Sequence, residues 1–239
     1  MAHGESKINN KRLAAVLILT LSFASACAAE TEPQTASICH GNYANGSLEH
    51  GKKLPSHGEN FKAYSSLGVQ AGRTYVHSKV YDVIVDAYKT LKTTAPGKLY
   101  IYGETGLETG GRFRPHKTHQ NGLSVDFFVP VLNKRNESVA LPIGITNKLG
   151  YNIEFDQDAR FGELRIDFDA MAEHLLALRR TAEKNGVGIR VAIFDNTYQP
   201  RLMATATGKK LPTLLRFSVS KPWVRHDEHY HVDFIAPCQ

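Results

Sequence analysis

Residues 119–131 read HQNGLSVDFFVPV, and the nine residues that follow Asn121-Gly122 predict a β-strand. Valine and phenylalanine side chains are typical of strands, and the Asn-Gly pair favours a tight turn before them. Asp126 lies in the middle of this strand. Because His119 precedes the turn at Gly122, the chain could fold its side chain back beside Asp126.

The hydrophobic pattern of the remaining chain mixes helices and strands without regular β-α-β alternation. It predicts helices at residues 77–91, 167–184 and 199–205, and strands at residues 98–102, 151–155, 189–194 and 229–235. Residues 27–60 are rich in Ser, Asn, Gly, Glu and Lys and predict an extended, loop-rich segment ahead of a domain at residues 61–239. The pattern favours a single compact α+β domain with a mostly antiparallel central sheet and flanking helices.

Composition excludes several classes of protein. The chain has 239 residues, of which 42% are hydrophobic and 22% charged, so it is neither a disordered tail nor a collagen-like repeat. The formal net charge of +6 is mildly basic, far from that of a polybasic nucleic-acid binder, and we expect no nucleic-acid partner.

The N-terminus has the features of an export signal. Residues 1–26 combine a basic start, an apolar run at residues 13–23 and small residues at the end, which is typical of a secretory signal peptide. The apolar run is too short to cross roughly 30 Å of hydrocarbon, and we expect no transmembrane segment. Cleavage before Cys27 or before Ala29 and lipid attachment to Cys27 are three alternatives. We expect a periplasmic or secreted protein.

The three cysteines fit this location. Cys27 lies at the predicted cleavage site, which leaves Cys39 and Cys238 near opposite ends of the mature chain. Because an exported chain meets an oxidising compartment, a bridge between these two is favoured over two free thiols.

Five of the 11 histidines lie in two short segments, residues 110–126 and 221–233. On a strand, His229 and His231 would leave from the same face, because side chains alternate with a period of two. His119, Asp126 and one of that pair would supply the three nitrogen and oxygen ligands of an open catalytic zinc site. Since both mature cysteines lie near the chain ends, a closed structural zinc site is disfavoured. The alternative is a set of surface histidines that bind nothing.

The same residues carry a family resemblance. H-x6-D followed much later by H-x-H resembles the signature of the LAS zinc peptidases, which include lysostaphin-type enzymes, D-Ala-D-Ala peptidases and the hedgehog fold. The longer strings at residues 110–126 and 222–232 are similar to those of penicillin-insensitive murein endopeptidases. This resemblance covers about residues 100–239.

The resemblance implies roles for individual residues. His119, Asp126 and His231 would bind the catalytic zinc, and His229 would be the general base or would stabilise the transition state. His226 would lie beside that base. His116 would line the site or help to hold a second metal. The Asp and His that accompany a second metal in that family are not recognisable between residues 151 and 169, so a second zinc is not predicted.

A second assignment of the base is open. Glu228 and His231 also form E-x-x-H, which resembles the D-Ala-D-Ala peptidase branch, where the glutamate is the base. On a regular strand Glu228 points away from the face shared by His229 and His231, which favours His229, and a bulge would reverse this preference. Arg112 or Arg114 could hold a substrate carboxylate, and Trp223 would belong to the core or the wall of the site.

These inferences predict a peptidoglycan hydrolase. Zinc held by two imidazoles and a carboxylate lowers the pKa of water and polarises a carbonyl group. We expect an endopeptidase that cuts peptide cross-links, with D-Ala–diaminopimelate as the expected bond. The alternatives are a D,D- or L,D-carboxypeptidase acting on stem peptides and a non-catalytic cell-wall-binding module of the same fold.

Overall fold

A computed structural model of the chain describes Met1, His3 and residues 35–219 and 224–239. Most of the predicted signal peptide at residues 1–26 lies outside these described residues, as do Cys27 and Trp223. Within the described part, no helix combines the length and the apolar character that crossing a membrane requires.

The described residues form a mixture of short strands and five α-helices. The strands are β1 (Ile38–Asn42), β2 (Asn45–Glu49), β3 (Lys52–Lys53), β4 (Phe61–Ala63), β5 (Tyr75–Val76), β6 (Tyr100–Tyr102), β7 (Ser124–Phe128), β8 (Val131–Leu132), β9 (Ser138–Val139), β10 (Arg160–Phe161), β11 (Leu164–Ile166), β12 (Gly188–Ile193) and β13 (His229–Ile235). The helices are α1 (Ser66–Gln70), α2 (Ser78–Thr94), α3 (Phe168–Lys184), α4 (Gln199–Ala204) and α5 (Leu211–Leu214).

A five-stranded sheet in the order β12-β13-β7-β6-β4 organises the molecule. Its first four strands pair antiparallel, and β4 joins β6 in parallel. A smaller sheet has the order β10-β11-β8-β9. The predicted α+β class and the mostly antiparallel sheet are confirmed.

Helices α2 and α3 pack against each other, and α3 also contacts β12. Each begins where a side chain accepts a hydrogen bond from a backbone N–H of the first turn: His77 caps α2 and Asp167 caps α3. The apolar residues that recur at helical spacing are buried in the core, namely Val80, Ile84, Ala87, Tyr88 and Leu91 on α2 and Met171, Leu175 and Leu178 on α3. The predicted helices at residues 77–91 and 167–184 are therefore confirmed.

The predicted strand at residues 151–155 is wrong. A preceding loop turns sharply, because the Asn147 side chain accepts hydrogen bonds from the backbone N–H groups of Gly144 and Gly150. At the end of the segment 151–155, the backbone N–H of Phe155 donates to the carboxylate of Asp227 at 2.6 Å. This backbone donor is thus bound to a side chain and is not available to a sheet.

Part of the segment predicted to be loop-rich is a hairpin. Strands β1 and β2 pair antiparallel, and the Asn42 side chain accepts from the backbone of the turn between them. Cys39 forms the predicted disulfide with Cys238. Leu48, on β2, and Leu54 belong to the same buried core as the central sheet.

Candidate metal centre

Two neighbouring strands bring the C-terminal histidines onto Asp126. In the antiparallel pair β7–β13, His231 lies directly opposite Asp126, and His229 lies opposite Phe128. Opposed residues project from the same face of a sheet. The Nδ1 atom of His231 is 2.9 Å from Oδ1 of Asp126, and Nε2 of His229 is 3.9 Å from Oδ2.

A tight turn brings His119 to the same carboxylate. His119 itself has a φ of 69° and Gly122 a φ of 73°, a backbone conformation that favours glycine. A Cβ atom on Gly122 would lie 2.8 Å from the backbone nitrogen of His77, so the turn needs glycine here for space as well. The His119 ring is fully buried, with Nε2 3.3 Å from Oδ1 of Asp126.

The hydrogen bond at the far side of the His119 ring sets its tautomer. Nδ1 lies 3.1 Å from the carbonyl oxygen of Thr105, which can only accept, so Nδ1 carries the proton. Nε2 therefore presents a lone pair, and it is buried without a hydrogen-bond partner. A buried polar atom without a partner requires an explanation, and a metal ion on Nε2 would provide one.

The His231 ring is held between two carboxylates. Its Nε2 is 2.8 Å from Oδ1 of Asp233, and its Nδ1 faces Asp126. Burial lowers the pKa of His231, but these two carboxylates raise it more, to about 10. A second carboxylate behind a histidine is the arrangement that orients metal-binding imidazoles in proteins.

Asp126 is 1% exposed, and among the described residues four histidines have a ring nitrogen within 3.9 Å of its carboxylate, namely His116, His119, His229 and His231. Burial raises the pKa of this carboxyl, but the surrounding histidines hold it well below its usual range. The site therefore contains a buried negative charge with neighbours that can ligate a metal.

His116 joins this cluster from the loop between β6 and β7. Ligand atoms of His116, His119 and Asp126 lie within 4.8 Å of one another. Nδ1 of the His116 ring is 3.7 Å from Oδ2 of Asp126. Nε2 of the same ring is 2.6 Å from the carboxylate of Glu104, which also accepts from Arg73. Burial raises the pKa of Glu104, but Arg73 and His116 together lower it to about 2.

His229 and Glu228 form a contact at the edge of the cluster. Oε1 of Glu228 is 2.8 Å from Nδ1 of His229, whereas regular alternation would point this carboxylate away. The difference arises because β13 begins at His229, so Glu228 lies before the regular strand. Burial raises the pKa of Glu228 to about 8 and lowers the pKa of His229 to about 4.

The ring of His226 packs beside that of His229, with 4.6 Å between the centroids and an angle of 41° between the planes. Burial and the neighbouring His229 lower its pKa to about 3, so the ring is neutral at pH 7. The seven residues that the sequence analysis assigned to metal binding or catalysis thus lie in one cluster.

A cleft of about 660 Å³ opens onto the cluster. Its walls carry the basic side chains of Lys117, Lys148 and Arg190. A second groove of about 530 Å³ is lined by Arg112 and Arg114 and shares Lys117 with the cleft.

Sequence reasoning missed three residues that contact the cluster. Asp233 could have been found, because it follows His231 by two positions on a predicted strand and therefore shares its face. Glu104 and Tyr151 carry no such signal, since their placement depends on the loops that hold them.

Imidazole nitrogens and a carboxylate oxygen that converge at the base of an open cleft are typical of metal-dependent hydrolases. Comparisons with known proteins agree with a hydrolase. The family model of penicillin-insensitive murein endopeptidase matches residues 39–239. Curated proteins with the same description from Escherichia coli O1:K1, strain SMS-3-5 and O45:K1 strain S88 are each 30% identical over 236 residues, covering 95% of this chain and 79% of the relative. The chain therefore belongs to the penicillin-insensitive murein endopeptidase family.

Proposed function

We propose that this protein is a zinc-dependent endopeptidase that hydrolyses the peptide cross-links of peptidoglycan. The observation that carries the metal assignment is the buried Nε2 of His119, which lacks a hydrogen-bond partner and lies 3.3 Å from Oδ1 of Asp126. Membership of a family of murein endopeptidases supports the substrate.

The metal would be held by Nε2 of His119, Oδ1 of Asp126 and Nδ1 of His231, where it would displace the proton that Nδ1 shares with Asp126. Two nitrogen donors and one oxygen donor suit zinc in a catalytic site, where a fourth position stays open. Zinc bound there would supply Lewis-acid polarisation of the scissile carbonyl and activation of water. We place His116 at the edge of this set as a further candidate ligand, because Glu104 engages its Nε2.

His229 is the proposed general base. Burial keeps its ring neutral at pH 7, so one nitrogen can accept a proton from the attacking water and later deliver it to the leaving amine. Glu228 contacts the Nδ1 side of the ring and would orient it. His226 packs on the neighbouring face and would limit the movement of that ring.

The basic side chains around the cleft fit an acidic peptide. Stem peptides of peptidoglycan carry free carboxylates, and guanidinium groups bind carboxylates in a bidentate manner. We assign Arg112 and Arg114, in the groove next to the cleft, to this contact.

Other features are proposed with this function. The signal peptide at residues 1–26 would direct the chain to the periplasm or out of the cell, with a lipid anchor at Cys27 as one alternative. The scissile bond would be D-Ala–diaminopimelate. The central sheet would be of the type found in hedgehog domains and D-Ala-D-Ala peptidases.

Digestion of purified muropeptides tests the proposal. We expect mature protein to convert cross-linked dimers into monomers, to stop when a zinc chelator is added, and to recover when zinc is returned. Trimming of uncross-linked stems without cleavage of dimers would indicate a carboxypeptidase instead. Binding to cell wall that survives the chelator, with no cleavage of either substrate, would indicate a binding module.

A further inference from the structure

The hydroxyl of Tyr151 contacts Oδ2 of Asp126, the carboxylate oxygen that is not the one nearest to His119 and His231. The hydroxyl oxygen lies 3.0 Å from Oδ2 of Asp126, whereas both imidazoles approach Oδ1. We propose that Tyr151 is a positioning residue that fixes the Asp126 carboxylate so that Oδ1 alone is presented to the metal. This inference rests on the proposed function, because it assigns a role at the same zinc site.

The direction of the Tyr151 hydrogen bond follows from its second contact. The backbone N–H of Glu104 donates to the Tyr151 oxygen at 2.9 Å. Since that N–H can only donate, the phenolic hydrogen is left for Oδ2 of Asp126. Oδ2 is therefore occupied by a hydrogen bond, and rotation of the carboxylate would break it.

Gly103 leaves the space in which this hydroxyl lies. A Cβ atom at residue 103 would be 2.7 Å from the Tyr151 oxygen and 3.1 Å from Cβ of Asp126. The backbone N–H of Gly103 also donates to the Asp126 carbonyl at 2.7 Å, which fixes the separation between the two segments. A side chain at residue 103 would consequently displace the tyrosine hydroxyl.

A loop with an unfavourable backbone holds Tyr151 in place. Lys148, Leu149 and Gly150 have φ values of 52°, 56° and 98°, a left-handed run directly before the tyrosine. Such conformations are costly for residues other than glycine, and they concentrate at functional sites when the surrounding structure maintains them. Here Asn147 maintains the loop through hydrogen bonds from Gly144 and Gly150.

The tyrosine ring is fixed by aromatic neighbours as well as by its hydroxyl. It meets Phe128, His116 and His229 edge-on, with ring centroids 5.1 to 5.6 Å apart. A Tyr151→Phe substitution keeps this packing and removes only the hydrogen bonds of the hydroxyl, which donates to Asp126 and accepts from the backbone N–H of Glu104. It therefore separates positioning of the carboxylate from general packing.

The test is a measurement of zinc affinity by competition with a chromophoric chelator, using the mature chain and zinc alone as the probe. Removal of a residue that orients a metal ligand typically weakens metal binding about 10- to 100-fold. We expect a loss in this range for Tyr151→Phe and for Gly103→Ala. In the double variant the second change should add little, because both act through the same hydroxyl.

Tyr102→Phe is the matched control. Tyr102 is fully buried next to Gly103 and donates to the carbonyl of Pro55, so its substitution also removes one buried hydroxyl but leaves Asp126 untouched. Its zinc affinity should remain within about twofold of wild type. The absorption spectrum of the cobalt-substituted protein should change in Tyr151→Phe and not in Tyr102→Phe, since the former alters the ligand geometry.

The outcomes separate this inference from the function on which it rests. Wild-type zinc affinity in Tyr151→Phe and Gly103→Ala, with tight zinc binding by the wild type, would overturn the role of Tyr151 and leave the proposed function standing. Equal losses in Tyr151→Phe and Tyr102→Phe would also overturn it, because they would indicate a general effect of lost buried hydroxyls. Absence of zinc binding by the wild type would overturn both.

Discussion

His231 lies directly opposite Asp126 on the paired strands β13 and β7, and its Nδ1 atom is 2.9 Å from Oδ1 of that aspartate. The two residues are 105 positions apart in the chain, so the antiparallel pairing of these strands creates the site. A one-residue slip in the register would turn His231 to the opposite face of the sheet. The fold and the candidate metal centre therefore depend on the same strand pair.

Substitution can distinguish whether His229 or Glu228 is the general base. We expect His229→Ala to lower kcat about 10²- to 10⁴-fold with unchanged zinc content, since it removes the proposed base. Glu228→Gln should lower kcat less, because the amide oxygen can still accept from the His229 ring. The exposed Glu163→Gln is the control. A larger loss of kcat in Glu228→Gln than in His229→Ala would assign the base to Glu228.

Substitution of the two arginines that line the groove next to the cleft should weaken substrate binding. We expect Arg112→Gln/Arg114→Gln to raise KM for muropeptides about 3- to 10-fold and to leave kcat within twofold, because exposed ion pairs contribute about 0.2–1 kcal/mol each. Arg160→Gln/Arg201→Gln removes the same charge elsewhere on the surface and should leave KM unchanged. Equal KM values for the two double variants would show that the groove does not contribute to substrate binding.

We expect the disulfide to make a large contribution to the free energy of unfolding. Cys39 and Cys238 are separated by 199 positions, and a bridge that closes so long a loop restricts the unfolded chain strongly. We expect Cys39→Ser/Cys238→Ser to lower the free energy of unfolding by about 2–5 kcal/mol in urea titrations. Reductant should destabilise the wild type and not the variant. If reductant left the wild type unchanged, the bridge would not be stabilising.

A buried aspartate outside the metal centre predicts an acid-dependent loss of stability. Asp195 accepts from the backbone N–H of Thr197 and from Nε of Arg225. Burial raises its pKa, but these hydrogen bonds lower it more, so the net pKa lies below the usual 3.8. The stabilisation is therefore complete well above pH 3.8 and is lost as the pH falls through the lowered pKa.

Asp195→Asn should accordingly cost about 1–3 kcal/mol of unfolding free energy at pH 7. The difference from wild type should shrink by pH 3, as measured by urea unfolding at both values. Asp158→Asn, at an exposed aspartate, is the control. A difference that is equal at pH 7 and pH 3 would contradict the role of the ionised carboxylate.

The local sequence pattern was sufficient to predict much of the fold. Helices α2 and α3 were predictable because their apolar residues recur at helical spacing, and β13 coincides with the strand predicted at residues 229–235. The hairpin β1–β2 was missed because its sequence is polar and rich in asparagine and glycine. Its order comes from the disulfide at Cys39 and from contacts with the rest of the chain, which local pattern does not encode.

The candidate site was predictable where its residues lie on regular strands and not where loops deliver them. His229 and His231 share a face by strand periodicity, and Asp126 follows from the neighbouring strand. Tyr151 is brought to Asp126 by a loop whose left-handed residues have no simple sequence signal. Glu104 similarly reaches His116 through its place after β6.

Zinc content measured together with cleavage tests the central claim most directly. Mature wild-type protein and Asp126→Asn should be assayed for bound zinc and for cleavage of cross-linked muropeptide dimers, with and without a chelator. The account predicts about one zinc per chain and chelator-sensitive cleavage in the wild type, and loss of both in Asp126→Asn. Wild-type protein that cleaves the dimers at an unchanged rate without bound zinc would contradict it.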